Sequence, residues 1–302
     1  MAIFLAGATA VGKSEVALQL AERGGGEIIS VDSMQVYRGL DVGTAKPSAA
    51  DRAKVPHHLI DVVEVSEGFD AARFCRLARE AREDIEGRGR AAIFCGGTGF
   101  YFNALLEGIG AGPPSSAELR AELEKIPLEV LLREIEERDP VTFGRIDQKN
   151  PRRVIRAVEV IRLTGRPFSE QRAAWGETKH FTESVIGLRR SPEDLQARID
   201  RRVEAMFAGG LVEETRAALE KGLAGNRSAM QAIGYRQVAE HLAGARSLEE
   251  TIALVKTRTR QFARRQMTWF RRQLPVRWVD VAPGEDAERI VEKIQGPSSK
   301  HQ

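Results

Sequence analysis

The feature that most constrains this chain is the string GATAVGKS, from Gly7 to Ser14, which fits the pattern G-x-x-x-x-G-K-[S/T]. An apolar run from Ala2 to Ala6 precedes it, and an amphipathic stretch begins at Ser14. A glycine turn between a strand and a helix lets backbone N–H groups surround an anion, and the helix N-terminus adds partial positive charge. Lys13 supplies a full charge, and the Ser14 hydroxyl is a candidate magnesium ligand. The loop therefore predicts polyphosphate binding, for which ATP, GTP or an organic diphosphate is equally suitable.

The apolar run at 2–6 is followed by a helix from Ser14, the run at 27–31 by a polar loop, and the run at 91–95 by another helix from Gly99. This alternation predicts a parallel α/β sheet. After residue 114 the pattern changes to helix upon helix. We predict a phosphate-loop core over 1–113, an inserted all-helical domain over 114–182, completion of the core with basic helices over 183–295, and a disordered tail over 296–302. Strands are expected at 184–188 and 277–279.

Local sequence signals place several helix ends. Ser115 to Glu118 and Ser247 to Glu250 read as capping boxes, each opening a helix. Asn150 before Pro151 predicts another helix start, and Gly165 is placed to end that helix.

Composition limits the class of protein. With 42% hydrophobic and 29% charged residues in 302, the chain has the balance of a folded globular protein. No run approaches the ~20 apolar residues of a membrane span. Cys75 and Cys95 lack metal-binding or disulfide spacing, which fits a reducing cytoplasm, and His57-His58 is expected to be structural. We expect a monomer that does not engage a membrane.

The net charge of +3 conceals two basic runs. Residues 256–277 carry eight Lys or Arg and no acidic residue, and residues 152–172 carry six Arg against two Glu. Each run is either a surface for phosphate or a solvated helix face. In the first run Lys256, Arg260, Arg264 and Arg271 share one helix face, and with no acidic partner beyond Glu250 they are expected to be unpaired and available to nucleic acid.

Polar residues follow the other apolar runs. Asp32 and Ser33 end the run at 27–31, and Thr98 lies among glycines after the run at 91–95. Since ligands in open parallel sheets bind beyond the carboxyl edge, these turns and the phosphate loop should converge. An aspartate here also suits magnesium in a nucleotide kinase, so Asp32 alone leaves kinase and transferase open. Thr98 suits a leaving diphosphate oxygen, although a tight glycine turn is the plainer alternative.

Together, a set of strings resembles the bacterial tRNA dimethylallyltransferases (the IPP transferase family) in order and spacing over nearly the whole chain: GATAVGKS, DSMQVY at 32–37, GTAKP at 43–47, HHLID at 57–61, GGTGFY at 96–101, NPRR at 150–153 and AIGY at 232–235. Ala8 and Phe100 are minor departures from that family's usual residues, and neither removes a polar group. The zinc-finger extension of eukaryotic relatives is absent, so no metal-assisted RNA module is expected.

The resemblance implies transfer of a dimethylallyl group from dimethylallyl diphosphate to N6 of adenosine 37, next to the anticodon, in tRNAs that read codons beginning with U. It implies Mg²⁺ with Ser14 as ligand, Asp32 as general base on the amine, and Thr98 as donor to the bridging oxygen of the leaving diphosphate. The residues expected to hold the diphosphate are Gly7, Ala8, Thr9, Ala10, Val11, Gly12, Lys13, Ser14 and Arg202.

The resemblance also implies a set of tRNA contacts, which are Asp32, Ser33, Met34, Gln35, Thr98, Arg120, Arg152, Arg153, Val154, Ile155 and Arg156. The target base must leave the anticodon-loop stack and enter a closed channel with two mouths, because water near the allylic carbon would divert the prenyl group. Two rival functions remain at this point. One is a nucleotide or small-molecule kinase, and the other is a non-catalytic RNA-binding NTP switch.

Overall fold

The computed structural model describes residues 2–108, 112–173 and 184–296. The chain divides into two compact units, the first formed by Met1–Leu105 with Thr182–Gln302 and the second by Leu106–Phe181. The second unit begins before residue 114, where the sequence placed the start of the inserted domain. Residues 174–182 of that predicted insertion and 297–302 of the predicted tail lie outside the described residues.

The first unit contains a six-stranded parallel sheet in the order β3-β2-β4-β1-β5-β6. Its strands are β1 Ala2–Gly7, β2 Glu27–Val31, β3 His57–His58, β4 Ala92–Gly96, β5 Val185–Arg189 and β6 Val276–Asp280. The predicted parallel α/β class is confirmed. The edge strand β3 was not predicted, because two residues are too few to show the period of a strand.

Helices of the first unit, numbered in chain order through the whole protein, are α1 Lys13–Gly24, α2 Ala49–Lys54, α3 Ala71–Gly87, α4 Gly99–Leu106, α10 Pro192–Ala208, α11 Leu211–Glu220, α12 Tyr235–Leu242, α13 Leu248–Gln273 and α14 Ala287–Gln295. The helix α4 ends at the boundary of the second unit. The remaining helices are α5 Ala117–Leu123, α6 Leu128–Arg138, α7 Pro140–Phe143, α8 Pro151–Thr164 and α9 Phe168–Ala173.

Burial of both faces of the central strands explains their almost unbroken apolar sequences. On one face, Leu5 and Ile93 pack with Val16 of α1 and Val291 of α14. A separate cluster joins α10 and α13 to the loop after β1, and it contains Ala8, Ile199, Val203 and Val255. Burial of each Val or Ile side chain contributes about 1.5–3 kcal/mol, so these contacts hold α13 firmly beside the carboxyl edge of the sheet.

The predicted helix ends are mostly confirmed. The Asn150 side chain accepts from Arg153 N, Gly165 ends α8 in the left-handed conformation, and Ser247 and Glu250 form the capping box of α13. The capping box predicted at Ser115 is wrong by one residue. Ser116 is the N-cap of α5 and accepts from Leu119 N at 3.2 Å, because its own N–H donates to the buried Glu159 at 2.9 Å and so fixes the helix start.

Candidate active site

The carboxyl ends of β2, β4 and β1 lie level with one another at the centre of the sheet. Val31 of β2 and Ala6 of β1 both pair with Gly96 of β4, so the three following turns leave the same edge side by side. A cavity of about 440 Å³ opens there and is lined by residues of all three turns, including Thr9, Lys13, Ser14, Asp32, Ser33, Gly97 and Thr98. The turns therefore converge as expected.

The phosphate loop has the backbone of an anion cradle. Gly7 has φ 151°, and a Cβ on it would lie 2.9 Å from the Leu188 carbonyl oxygen, so only glycine fits where the loop leaves β1. Gly12 caps α1 in the left-handed conformation, and the N–H groups in the first turn of α1 have no partners within the helix. The Lys13 ammonium donates to the Ala8 carbonyl at 2.6 Å, across the mouth of the loop.

Two partly buried cations line the cavity, Lys13 and Arg202. Burial lowers the pKa of Lys13 to about 8, an effect that nearby Arg202 reinforces and Asp32 opposes. Burial likewise lowers the pKa of Arg202, whose Nε has no hydrogen-bond partner among the described residues. An unsatisfied buried donor carries a substantial desolvation penalty, which an anionic ligand would remove. Lys13 and Arg202 therefore make one side of the cavity electropositive.

Two arginines that the sequence analysis did not identify hold the outside of the phosphate loop. Arg190 donates through Nε to the Val11 carbonyl, and Arg198 donates through Nε to the Ala10 carbonyl, each at 2.8 Å. Arg190 is also paired with Asp194 at 2.7 Å. The only signal in the sequence was proximity to the predicted start of α10, which does not indicate where these side chains point.

Asp32 and Thr98 each keep one polar function available to a ligand. Asp32 Oδ1 accepts from Met34 N at 2.8 Å and Gln35 N at 3.3 Å, and Oδ2 has no hydrogen bond within the described part of the chain. Thr98 Oγ1 accepts from Ser33 N at 3.1 Å, so its hydroxyl hydrogen remains free to donate. Both side chains line the cavity.

Gln35 is engaged inside the protein. Its amide nitrogen donates to the carbonyls of Thr44 and Ala45, at 3.2 and 3.4 Å, and its oxygen accepts from Ser30. The side chain therefore fixes the loop at 43–47, which also lines the cavity. All four residues of the segment from Asp32 to Gln35 line the cavity, but the polar atoms of the Gln35 side chain already have partners within the protein.

Glu214 holds the same loop from its other side. Its carboxylate accepts from Asp41 N, Val42 N and Gly43 N at 2.8–3.1 Å, and from the Tyr235 hydroxyl at 2.5 Å. A Cβ on Gly43 would lie 2.5 Å from the Tyr235 ring. The GTAKP and AIGY strings thus meet in one contact that shapes the cavity wall.

The residues predicted to contact tRNA from the second unit occupy different environments. Arg120 pairs with the fully buried Glu159 at 3.0 Å, and Arg156 pairs with it at 2.7 Å. Val154 lies in the apolar core of this unit and Ile155 packs against that core. The Val154 side chain is fully buried, so a contact of this residue with tRNA would involve its backbone. Arg152 and Arg153 are exposed.

The expectation that the cations of α13 are unpaired is wrong for two of them. Lys256 pairs with Glu204 at 2.5 Å, and Arg260 makes a two-point contact with Asp200. Both carboxylates belong to α10, which packs along α13. Arg264 and Arg271 are exposed, have no carboxylate partner among the described residues, and line a groove of about 390 Å³ together with Arg260.

The described residues contain neither a cluster of metal ligands nor a helix that could cross a membrane. In the described ranges no group of three His, Cys, Asp or Glu residues is placed to hold a metal ion. His57 contacts the Val55 carbonyl and His58 contacts the buried Glu27, each at 2.7 Å. None of the helices in residues 2–108, 112–173 or 184–296 has the length and apolar character needed to cross a membrane.

The fold and the cavity define a phosphate-loop protein with a carboxylate and a hydroxyl placed beside that loop, which is an arrangement suited to group transfer. The IPP transferase family model matches residues 35–273, and this chain belongs to that family. It is 46% identical to tRNA dimethylallyltransferase 1 of Citrifermentans bemidjiense over 94% of this chain and 93% of that relative. It is also 46% identical to the tRNA dimethylallyltransferase of Geobacter metallireducens, over 97% of this chain and 96% of that relative.

Solved structures agree with this assignment. The full-length tRNA isopentenylpyrophosphate transferase from Bacillus halodurans matches with a TM-score of 0.72 and 38% identity, over 97% of this chain and 94% of that chain. A eukaryotic dimethylallyltransferase acting on tRNA matches with a TM-score of 0.82 and 28% identity, over the whole of this chain and 81% of that chain. None of these comparisons supports the kinase alternative.

Proposed function

We propose that this protein transfers the dimethylallyl group of dimethylallyl diphosphate to N6 of adenosine 37 in tRNAs that read codons beginning with U, at the cavity on the carboxyl edge of the sheet. The observation that carries the proposal is that the partly buried cations of Lys13 and Arg202 line the same cavity as the available groups of Asp32 and Thr98. The cations match a diphosphate, and the other two groups match the amine and the leaving oxygen.

Each residue has one role in this reaction. Lys13, Arg202 and the backbone N–H groups of the phosphate loop bind the diphosphate and neutralise its charge. The Thr98 hydroxyl donates a hydrogen bond to the bridging oxygen, whose negative charge grows as the carbon–oxygen bond breaks. The Asp32 carboxylate takes a proton from the exocyclic amine as the nitrogen–carbon bond forms. The products are the N6-isopentenyl nucleoside and diphosphate.

Magnesium fits this site through the Ser14 hydroxyl. Mg²⁺ prefers oxygen ligands and usually binds proteins through one or two side chains together with substrate phosphates and water. Ser14 lines the cavity at the start of α1, and no larger cluster of ligands is present in the described residues. When bound, the ion would add positive charge at the diphosphate.

The tRNA is proposed to present a flipped base to the mouth of the cavity opposite the phosphate loop. Ser33 and Met34 would meet that base, since they line the cavity beside Asp32. Arg152 and Arg153 of the second unit would contact the backbone of the RNA, and Arg120 and Arg156 would support that surface through Glu159. With tRNA as substrate and two free cysteines, we propose that the protein acts in the cytoplasm. Its expected monomeric state is a separate prediction.

A direct assay tests this proposal. The protein is incubated with unmodified tRNA, Mg²⁺ and dimethylallyl diphosphate, and the digested nucleosides are analysed by mass spectrometry. We expect one dimethylallyl group on adenosine from a tRNA with A37, and no product from the same tRNA carrying G37. Consumption of ATP without any change in nucleoside mass would instead favour a kinase or a nucleotide switch.

A further inference from the structure

One buried amide joins the two loops that hold the reacting groups. Gln266 of α13 accepts a hydrogen bond from Thr9 N of the phosphate loop at 2.9 Å, through Oε1. Its Nε2 donates to the carbonyl oxygen of Gly97 at 2.8 Å. The residue is 8% exposed, and the sequence analysis assigned it no role. A single side chain therefore connects the diphosphate side of the cavity to the segment that carries Thr98.

The connection continues to the third loop. Thr98 follows Gly97 directly, its N–H donates to the Val31 carbonyl at 3.2 Å, and its hydroxyl oxygen accepts from Ser33 N. Hydrogen bonds thus run from Thr9 through Gln266 and Thr98 to the loop that contains Asp32. These bonds join the turns that follow β1, β4 and β2, so the path spans all three turns of the proposed site.

The local packing leaves little freedom around this amide. A Cβ on Gly97 would lie 2.4 Å from Gln266 Nε2, so any larger residue would displace the bond. One turn further along α13, Phe270 packs edge-on against Phe102 of α4, with ring centroids 5.8 Å apart. A Cβ on Gly99 would lie 2.1 Å from the Trp269 ring. The helix is therefore held against the turn on both sides of Thr98.

We propose that Gln266 is a positioning residue that sets the separation between the diphosphate and the Thr98 hydroxyl. The inference rests on the role proposed above for Thr98. The site requires one acceptor and one donor on the same planar group, which an amide provides. Glutamate would place a second acceptor against the Gly97 carbonyl, methionine offers neither group, and asparagine is one methylene too short to reach both loops.

The first test compares Gln266→Met with Gln273→Met, a matched change at the exposed end of the same helix. Displacement of reacting groups by about 1 Å lowers rates by as much as about 10²-fold, so we expect the single-turnover rate of Gln266→Met to fall by about 10- to 10²-fold. The control should keep the wild-type rate. Dissociation constants for tRNA should remain within about twofold in both variants, since the amide faces the loops and not the RNA.

A double-mutant cycle with Thr98→Ala separates positioning from general support of the fold. If Gln266 acts through Thr98, the double variant should be no slower than Thr98→Ala alone. If the double variant is instead slower by the product of the two single rate losses, the inference is wrong. Wild-type turnover in Thr98→Ala would overturn the proposed function of Thr98, and the inference with it. If Gln266→Met unfolds, the cycle is run with Gln266→Asn, for which the same two outcomes are decisive.

Discussion

The pKa of Lys13 makes the affinity for diphosphate depend on pH in a range where few other groups titrate. Burial lowers this pKa from 10.5 to about 8 in the free protein. A bound diphosphate places negative charge against the ammonium and should restore a pKa of at least the ordinary value. Binding is therefore strongest while Lys13 is protonated in the free protein, below pH 8, and weakens as the pH rises through that value.

The size of the effect follows from the two pKa values. At pH 7 about nine-tenths of free Lys13 is protonated, and at pH 9.5 only about 3% is. Between those values the affinity should fall about thirtyfold, or about 2 kcal/mol. The charged and titratable groups near Lys13 do not add to this change. Burial raises the pKa of Cys95 to about 11, Arg202 keeps its charge throughout, and the diphosphate is already ionised above pH 7.

Calorimetric titration with a non-reactive thiodiphosphate analogue from pH 6.5 to 9.5 measures this dependence. Lys13→Met should bind weakly and lose the pH dependence, whereas Lys221→Met, which alters an exposed lysine, should behave as the wild type. An affinity that stays constant from pH 7 to 9.5, or an unchanged slope in Lys13→Met, would refute the argument that the buried ammonium is the anion's partner.

Three further outcomes are expected. Asp32→Asn and Thr98→Ala should each lower single-turnover prenyl transfer by about 10²- to 10⁴-fold with tRNA affinity nearly unchanged, so a near-normal rate in either variant removes the role assigned to that residue. The pKa of Glu27 is lowered to about 2, first by the hydrogen bond from Arg88. The free energy of unfolding should therefore include about 3 kcal/mol that is present above pH 4.5 and is lost toward pH 2. The Glu27→Gln variant should lack this contribution. Replacing the exposed Arg264 with Ala should reduce the salt dependence of tRNA binding by about one unit of slope, and an unchanged slope would indicate a solvated face.

The sequence correctly predicted those parts of the structure that depend on interactions between residues close together in the chain. The phosphate loop lies within eight consecutive residues, and the caps at Asn150 and Ser247 each bond to a residue three positions later. Convergence of the turns also followed from local signals, because parallel strands share a carboxyl edge whatever their order. The strand order itself was not predictable from those signals.

Residues that act across long separations were missed for the same reason. Gln266 lies 257 positions from Thr9, and nothing in a helical stripe distinguishes a buried amide from an exposed one. The pairing of Arg260 with Asp200 was missed because the acidic partner belongs to α10, 60 positions earlier. A charge count within one helix does not detect a carboxylate that a neighbouring helix supplies. Local composition therefore overestimated the charge available on α13.

In the proposed site, the positioning of the loops by α13 is separate from the binding of the diphosphate by the two cations. Its apolar side, with Val255 and Ala263, packs against α10, and those contacts hold Gln266 between the two loops. Lys13 and Arg202 are kept desolvated in the free protein, which lowers stability until an anion binds. Since the hydrogen bonds that Gln266 makes to the two loops do not involve those cations, loss of a cation should weaken diphosphate binding and loss of the amide should slow the reaction of bound substrates. The two effects belong to separate parts of one cavity. The first is measured by the dissociation constant for diphosphate, and the second by the single-turnover rate constant.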